Sequence, residues 1–266
     1  MTNMRDLWII VPCFNEEKIL PQTCDCFISK LHKMKEEQVV STDSIILFVD
    51  DGSYDDTWNI IFRLSEEHKD VHGLKLKENV GQQRALLAGL MTAKDYGADM
   101  TVTMDCDGQD DINAVTEMVH AFDNGYNIVY GVRNNRDTDT WLKRNTALLY
   151  YNIMRLFDKT MIYNHSEFRL MSYKVLCYLD AHDELDLFIR KICSSIAYYE
   201  DIPATSVYYK RLSREAGDTH YSFSALVKLA IKSLKPVEHE IGHVSHAHQY
   251  TIETSTYKKG KVSYVI

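Results

Sequence analysis

Met100-Thr101-Val102-Thr103-Met104-Asp105-Cys106-Asp107-Gly108-Gln109-Asp110-Asp111 runs from an apolar, β-branched stretch into four carboxylates and an amide. The first residues predict a short buried strand, and the acids predict the turn that ends it. Acid-rich turns at the carboxyl ends of strands are where open α/β sheets place ligands. In an extended backbone Asp105 and Asp107 would point to one side with Cys106 opposite, and Gly108 would let the chain bring Gln109 back toward them. Hard oxygen donors too few to form a full cage suit Mg²⁺ or Mn²⁺ shared with a phosphate-bearing substrate.

Outward from this stretch the chain alternates strand and helix. Leu7–Cys13 is a continuous apolar run, as expected of a central strand buried on both faces. Asn15-Glu16-Glu17 is expected to open a helix whose core-facing stripe is Leu20, Cys24, Phe27, Ile28, Leu31 and Met34. Residues 44–49 predict a second strand ending at Asp50-Asp51-Gly52-Ser53, where Ser53 with Asp56 is expected to cap the next helix. Residues 72–77 predict a third strand. Asn79-Val80-Gly81-Gln82-Gln83-Arg84 then leads into an Ala- and Leu-rich helix through Ala93. Ile112, Val115, Met118, Val119 and Phe122 mark a further helix closed by Asn124-Gly125, and residues 127–132 the next strand. This order implies an α/β fold with a mostly parallel central sheet, right-handed crossovers and helices on both faces.

Beyond residue 132 the pattern changes. Helices are expected over 141–157, 183–196 and, amphipathic, 223–234, with short strands at 168–172, 205–209 and 250–256. The division this implies is a domain over 1–235, with a ligand-binding half at 1–132 and a second half at 133–235, followed by a polar tail at 236–266. That tail carries His239, His243, His246 and His248 and is expected to be solvated or to face a second copy in a homo-oligomer.

Composition narrows the function. Lys and Arg number 30 against 38 Asp and Glu, a net charge of −8, which argues against a nucleic-acid surface. The six cysteines lack paired zinc spacing or a disulfide framework, so reduced thiols in a cytoplasmic protein are expected. The opening residues do not read as a signal peptide, and no run is long and apolar enough to span a membrane. There is no G-x-G-x-x-G and no P-loop pattern, so phosphate charge would be met by metal rather than by a lysine-bearing loop.

Three strand ends carry polar groups: Asn15-Glu16, Asp50-Asp51, and Asp105/Asp107/Gln109. A nucleotide across one rim explains all three, with carboxylates accepting from ribose hydroxyls and a base N–H and the third end holding the cation. Cys106 is expected to be a buried filler between two ligands.

Val11-Pro12-Cys13-Phe14-Asn15-Glu16-Glu17, Val49-Asp50-Asp51-Gly52-Ser53, Asn79-x-Gly81 with Ala85 and Gly89, and Asp105-x-Asp107-x-Gln109-Asp110 resemble glycosyltransferase family 2. Within it they resemble the polyprenyl-phosphate hexosyltransferases, and Phe168-Arg169-Leu170-Met171-Ser172 and Arg214-x-Ala216-Gly217 extend the match to about residues 5–235. The resemblance implies a GT-A fold with a C-terminal acceptor-side extension and an inverting transfer of a hexose from a nucleotide sugar, UDP being the favoured nucleotide. The acceptor would be a polyprenyl phosphate or, alternatively, a glycan hydroxyl. The resemblance also implies metal (Mg²⁺ or Mn²⁺) on Asp105, Asp107 and Gln109, and a nucleotide site of Pro12, Asn15, Glu16, Asp51 and Asp105.

An anionic acceptor needs cationic positioning rather than a strong base, and Arg133, Arg136, Arg144, Arg169 and Arg214 are the candidates for its phosphate. With Asp107 and Glu167, Arg133 and Arg169 complete the expected catalytic set, Glu167 serving to hold Arg169, orient a hydroxyl or act as base. The family pattern continues into transmembrane helices past the region matching 223–234, where this chain reads as polar, and His220 stands where lysine is common. The expected location is therefore the cytoplasm, with peripheral contact at the inner face of the membrane through helix 223–234 or a membrane-protein partner.

Overall fold

The computed structural model describes residues 4–134, 165–181, 188–211 and 250–257. These form two compact units, one of the residues up to Gly108 together with 250–257, the other running from Gln109 to 211. The helices expected over 141–157 and 223–234, the histidine-bearing part of the tail, and Arg136, Arg144, Arg214 and His220 lie outside the described residues.

In the first unit, β1 (Leu7–Cys13), β2 (Ile45–Asp50), β3 (Val71–Leu76) and β4 (Met100–Thr103) alternate with α1 (Leu20–Glu36), α2 (Thr57–Glu67) and α3 (Gln82–Asp95). The strands pair in parallel in the order β4-β1-β2-β3, so their carboxyl ends share one rim. β1 is central and buried almost throughout, which explains its unbroken apolar run. β8 (Ile252–Ser255), expected from 250–256, adds an antiparallel edge to β3. Tyr257 just beyond it packs against Trp8, Tyr96 and His72 with ring centroids 4.6–4.8 Å apart. Burial first, and then the nearby charge of Lys35, lower the pKa of His72 to about 4 against the pull of Asp70.

Helices cover both faces of this sheet. Phe27 of α1 meets Phe48 edge-on. A Cβ on Gly89 of α3 would lie 2.5 Å from Ile10 Cγ2 and 2.9 Å from Val49 Cγ2. Phe48 and Val49 are consecutive in β2 and so point to opposite faces, which puts α1 and α3 on opposite sides. α2 shares the α1 face, because Gly73, the register partner of Phe48, abuts its Trp58 and Ile61.

The predicted stripe on α1 is buried throughout. The helix begins at Leu20 rather than at Asn15-Glu16-Glu17, since Glu16 carbonyl oxygen accepts from Ile19 and Leu20 N–H and Pro21 suits a first turn. Ser53 does not cap α2: the helix starts at Thr57, whose N–H is met by Asp55 Oδ1 at 3.0 Å, and Ser53 is used elsewhere.

In the second unit α4 (Ala114–Asp123) packs against β5 (Ile128–Arg133), β6 (His165–Ser172) and β7 (Ala204–Tyr209). β5 lies between antiparallel β6 and parallel β7. α5 (Tyr173–Asp180), capped by Ser172 Oγ accepting from Val175 N–H, was not foreseen. α6 (Ile189–Tyr199) follows, overlapping the helix expected over 183–196, of which residues 183–187 lie outside the described residues. Among the described residues no helix is long and apolar enough to cross a membrane.

Gly89 lies where α3 crosses β1 and β2 with no room for a methyl group. Gly89→Ala should destabilise the chain by about 1–3 kcal/mol through overpacking, read as a lower urea midpoint at unchanged slope.

Candidate active site

On the rim of the first unit the loops after β1, β2 and β3 are stitched together by short polar groups. Asn15 takes a left-handed backbone (φ 55°), its N–H donates to Ser53 Oγ at 3.0 Å, and its Oδ1 accepts from Tyr54 N–H at 2.9 Å. Glu16 N–H donates to Thr57 Oγ1 at 2.8 Å and Glu17 N–H to Asp55 Oδ2 at 3.1 Å. Asp51 Oδ1 accepts from Val80 N–H at 2.8 Å and Oδ2 from Gly81 N–H at 3.0 Å. Gly52, at φ 66°, has no space for a Cβ, which would sit 2.5 Å from the carbonyl carbon of Glu78. Only glycine permits that approach at that conformation.

The residue after Gly81 opens α3, and Gln82 Nε2 donates to Asp105 Oδ1 at 2.8 Å. Asp105 and Asp107 are half-buried with buried Cys106 between them, whose Sγ lies 3.9 Å from Thr23 Oγ1. The alternation expected of an extended strand arises differently. β4 stops at Thr103, Met104 N–H makes a last bond to Ile10 carbonyl oxygen, and Cys106-Asp107 lie in a turn that Gly108 closes at φ 66°. Pro12 lies half-buried in β1, and Gln109, also half-buried, is the first residue of the second unit.

Burial dominates the two acids after β2. It lifts Asp51 to a pKa of about 6 despite the two N–H donors, and raises Asp50 as well. Asp50 is wholly buried, with Oδ1 accepting from Ser53 N–H at 3.2 Å. Asp51 thus braces the 80–81 turn, and any nucleoside contact it makes is additional to that.

The second unit gathers two clusters. Arg133 ends β5 beside Tyr209, its register partner on β7, and Arg133 Nε donates to the Tyr209 hydroxyl at 3.2 Å. That hydroxyl donates to buried Asp110 Oδ1 and lies 3.0 Å from Ser166 Oγ. Burial and then the Asp110 charge push Tyr209 up to about 12. In the other cluster, Glu167 Oε2 accepts from Arg169 Nη2 at 2.8 Å, and Oε1 accepts from Arg190 Nη2 at 2.9 Å and Nε at 3.2 Å.

Glu167 holds Arg169, the first of the roles expected of it, and the same contacts bear on two other expectations. Arg169 is 0% exposed, held by Glu167 and by the Ser166 carbonyl, so its guanidinium braces the sheet rather than facing a soluble ligand. Glu167 has both oxygens engaged by guanidinium groups, which leaves it ill-suited to act as a base. The half-exposed cation of the cluster is Arg190, 27% exposed at its side chain and over the Phe188 ring. Neither Arg190 nor Gln82 nor Tyr209 was singled out from sequence. Gln82 alone had a signal, its place in the Asn79–Arg84 stretch that leads into α3.

Among the described residues no three His, Cys, Asp or Glu side chains group as a metal cage. Two hard carboxylates, one oriented by an amide, nevertheless fit a divalent cation that completes its shell with phosphate and water oxygens.

Solved structures similar in fold are GT-A glycosyltransferases. Glucosyl-3-phosphoglycerate synthase from Mycobacterium tuberculosis, in complex with Mn²⁺, UDP-glucose and phosphoglyceric acid, matches with TM-score 0.58 at 16% identity over 86% of this chain and 78% of that one. Mannosyltransferase PcManGT from Pyrobaculum calidifontis, in complex with GDP-Man and Mn²⁺, matches with TM-score 0.54 at 18% identity over 78% and 56%. The fold is GT-A. Residues 8–179 match the profile of Glycosyl transferase family 2, and the chain belongs to that family. An uncharacterized glycosyltransferase, YkoT of Bacillus subtilis (strain 168), is 42% identical over 86% of this chain, which spans 66% of the length of YkoT. The prophage bactoprenol glucosyl transferase homolog of Escherichia coli (strain K12) is 33% identical over 85% of this chain and 70% of its own.

Two stability measurements check this geometry. Asp51→Asn sets an amide N–H₂ against a backbone donor and should cost about 1–3 kcal/mol near neutral pH. Because burial raises Asp51 from 3.8 to about 6, its ionisation penalty is full above pH 6 and fades as pH falls toward 4. The gap between wild type and Asp51→Asn should therefore widen on acidification across that window, read by urea unfolding at each pH. Glu167→Gln strands the buried Arg169 charge and should cost about 3–5 kcal/mol, seen as a large drop in melting temperature.

Proposed function

We propose that the chain transfers a hexose, with inversion, from a UDP-sugar to a polyprenyl phosphate at the inner face of the membrane, with a divalent cation bound. The observation that carries the donor half is the stitched rim of the first unit, where Asp51, the 80–81 turn and Gln82 lead to Asp105. In this reading Pro12, Asn15, Glu16 and Asp51 surround the nucleoside. Asp105, Asp107 and Gln109 would hold Mg²⁺ or Mn²⁺, which when bound neutralises charge developing on the leaving nucleoside diphosphate. The UDP and Mn²⁺ of the similar mycobacterial synthase support this choice of donor and ion.

The acceptor reading rests on charge. A phosphate monoester is already anionic, so the chain must orient it and offset its charge rather than remove a proton. In this reading Arg133, at the end of β5, takes that part, and Arg136, Arg144 and Arg214 are the further candidates. Relatives named as bactoprenol glucosyl transferases, 30–33% identical, support the lipid phosphate. A hydroxyl acceptor would want a base, and the occupied oxygens of Glu167 argue against that alternative.

The test is a thermal-shift panel of UDP-, GDP- and dTDP-sugars, each with and without Mn²⁺. A UDP-sugar at a hundred times its Kd should raise the melting temperature by about 5–10 °C, only with Mn²⁺ present. Asp105→Asn and Asp107→Asn should abolish the shift. A shift with a GDP-sugar instead, or one indifferent to Mn²⁺, overturns the donor assignment.

A further inference from the structure

The buried network around the Tyr209 hydroxyl is larger than β-strand pairing requires. Tyr209 closes the β5–β7 ladder opposite Arg133, and its ring packs edge-on against Phe168 with centroids 5.2 Å apart. Tyr209, Asp110 and Ser166 are each at most 5% exposed, whereas the Arg133 side chain is 27% exposed. Two buried polar groups, Tyr209 and Asp110, thus meet one partly exposed cation, and the third, Ser166, bonds to the Tyr209 hydroxyl.

Donor and acceptor rules settle the proton positions. The Arg133 Nε–H can only donate, so the Tyr209 oxygen accepts it, at 3.2 Å. A carboxylate can only accept, so the hydroxyl proton points to Asp110 Oδ1. Asp110 Oδ1 also lies 3.7 Å from Arg133 Nη2, so two nitrogens along one edge of the guanidinium face the network. Ser166 Oγ, 3.0 Å from the Tyr209 oxygen and 3.3 Å from its backbone donor Phe168 N–H, ties the hydroxyl to β6. A guanidinium gripped along one edge has a fixed plane, and a planar fork set in advance loses less freedom on meeting a phosphate.

We infer that Tyr209, backed by Asp110 and Ser166, is a positioning residue that fixes the Arg133 guanidinium for the acceptor phosphate. The role rests on the acceptor reading above and adds to it a residue that touches no substrate. Tyr209→Phe keeps the ring on Phe168 and removes only the hydroxyl.

The test is titration calorimetry with farnesyl phosphate on the full chain and on Tyr209→Phe, Arg133→Ala and the double variant, with UDP plus Mn²⁺ as the donor-side control. Tyr209→Phe should weaken farnesyl phosphate binding about five- to tenfold and leave UDP binding nearly unchanged, while the buried Asp110 carboxylate, stripped of its hydroxyl donor, lowers the melting temperature by several degrees. In the Arg133→Ala background the same substitution should change affinity less than about twofold, the non-additivity of a residue acting through its partner. Asp110→Asn, which retains an oxygen for the hydroxyl but not the charge, should weaken binding in the same direction and serves if Tyr209→Phe does not fold. Unchanged affinity in Tyr209→Phe, or a full additive loss in the double variant, overturns the positioning role and leaves the acceptor reading standing. Failure of the wild type to bind farnesyl phosphate, with UDP binding intact, overturns both.

Discussion

The carboxylate of Asp51 sits between the N–H groups of Val80 and Gly81, and the rest of the rim is built on that grip. It pins the turn that precedes α3, and the first residue of α3, Gln82, reaches Asp105. A strand end at position 51 thereby orients a carboxylate at position 105 through two hydrogen-bonded steps. Close approach of the chain at Gly52 makes the grip possible, since a side chain there would strike the backbone of Glu78 and Asn79. Burial opposes the charge and raises Asp51 to about 6, so the two N–H donors offset a desolvation cost rather than simply adding stability.

The second unit treats its charges in two ways. Arg169 is buried and exists as half of an ion pair, so its partner Glu167 is held by electrostatics at a place where a lone carboxylate would be costly. Arg133 and Arg190 keep partly exposed side chains while their guanidinium groups donate to a buried acceptor. The same residue type is thus wholly buried in an ion pair at position 169 and only half-buried at positions 133 and 190.

Much of this was legible beforehand. The buried strands β1, β2 and β4, the stripe on α1 and the closure of α4 at Asn124-Gly125 follow from local periodicity, which short-range sterics enforce. The expectation that Ser53 caps α2 failed because a hydroxyl accepts from whichever N–H the fold brings near, and here that is Asn15. Arg190 escaped notice because a basic residue on an amphipathic helix looks like any solvated one until its partner, from another element, is known. Tyr209 looked like an ordinary strand aromatic for the same reason.

By itself the sequence determined the alternation of strand and helix, the family, and the hard-oxygen residues that stand at strand ends. Those follow from spacing along the chain, where each residue constrains only near neighbours. Tertiary structure alone decided which acid braces a loop and which lies half-buried at a strand end, and which arginine is buried and which emerges. The physical reason is that a charged group takes its role from desolvation and from partners, and those partners, such as Val80 for Asp51 or Tyr209 for Arg133, lie 29 and 76 residues away.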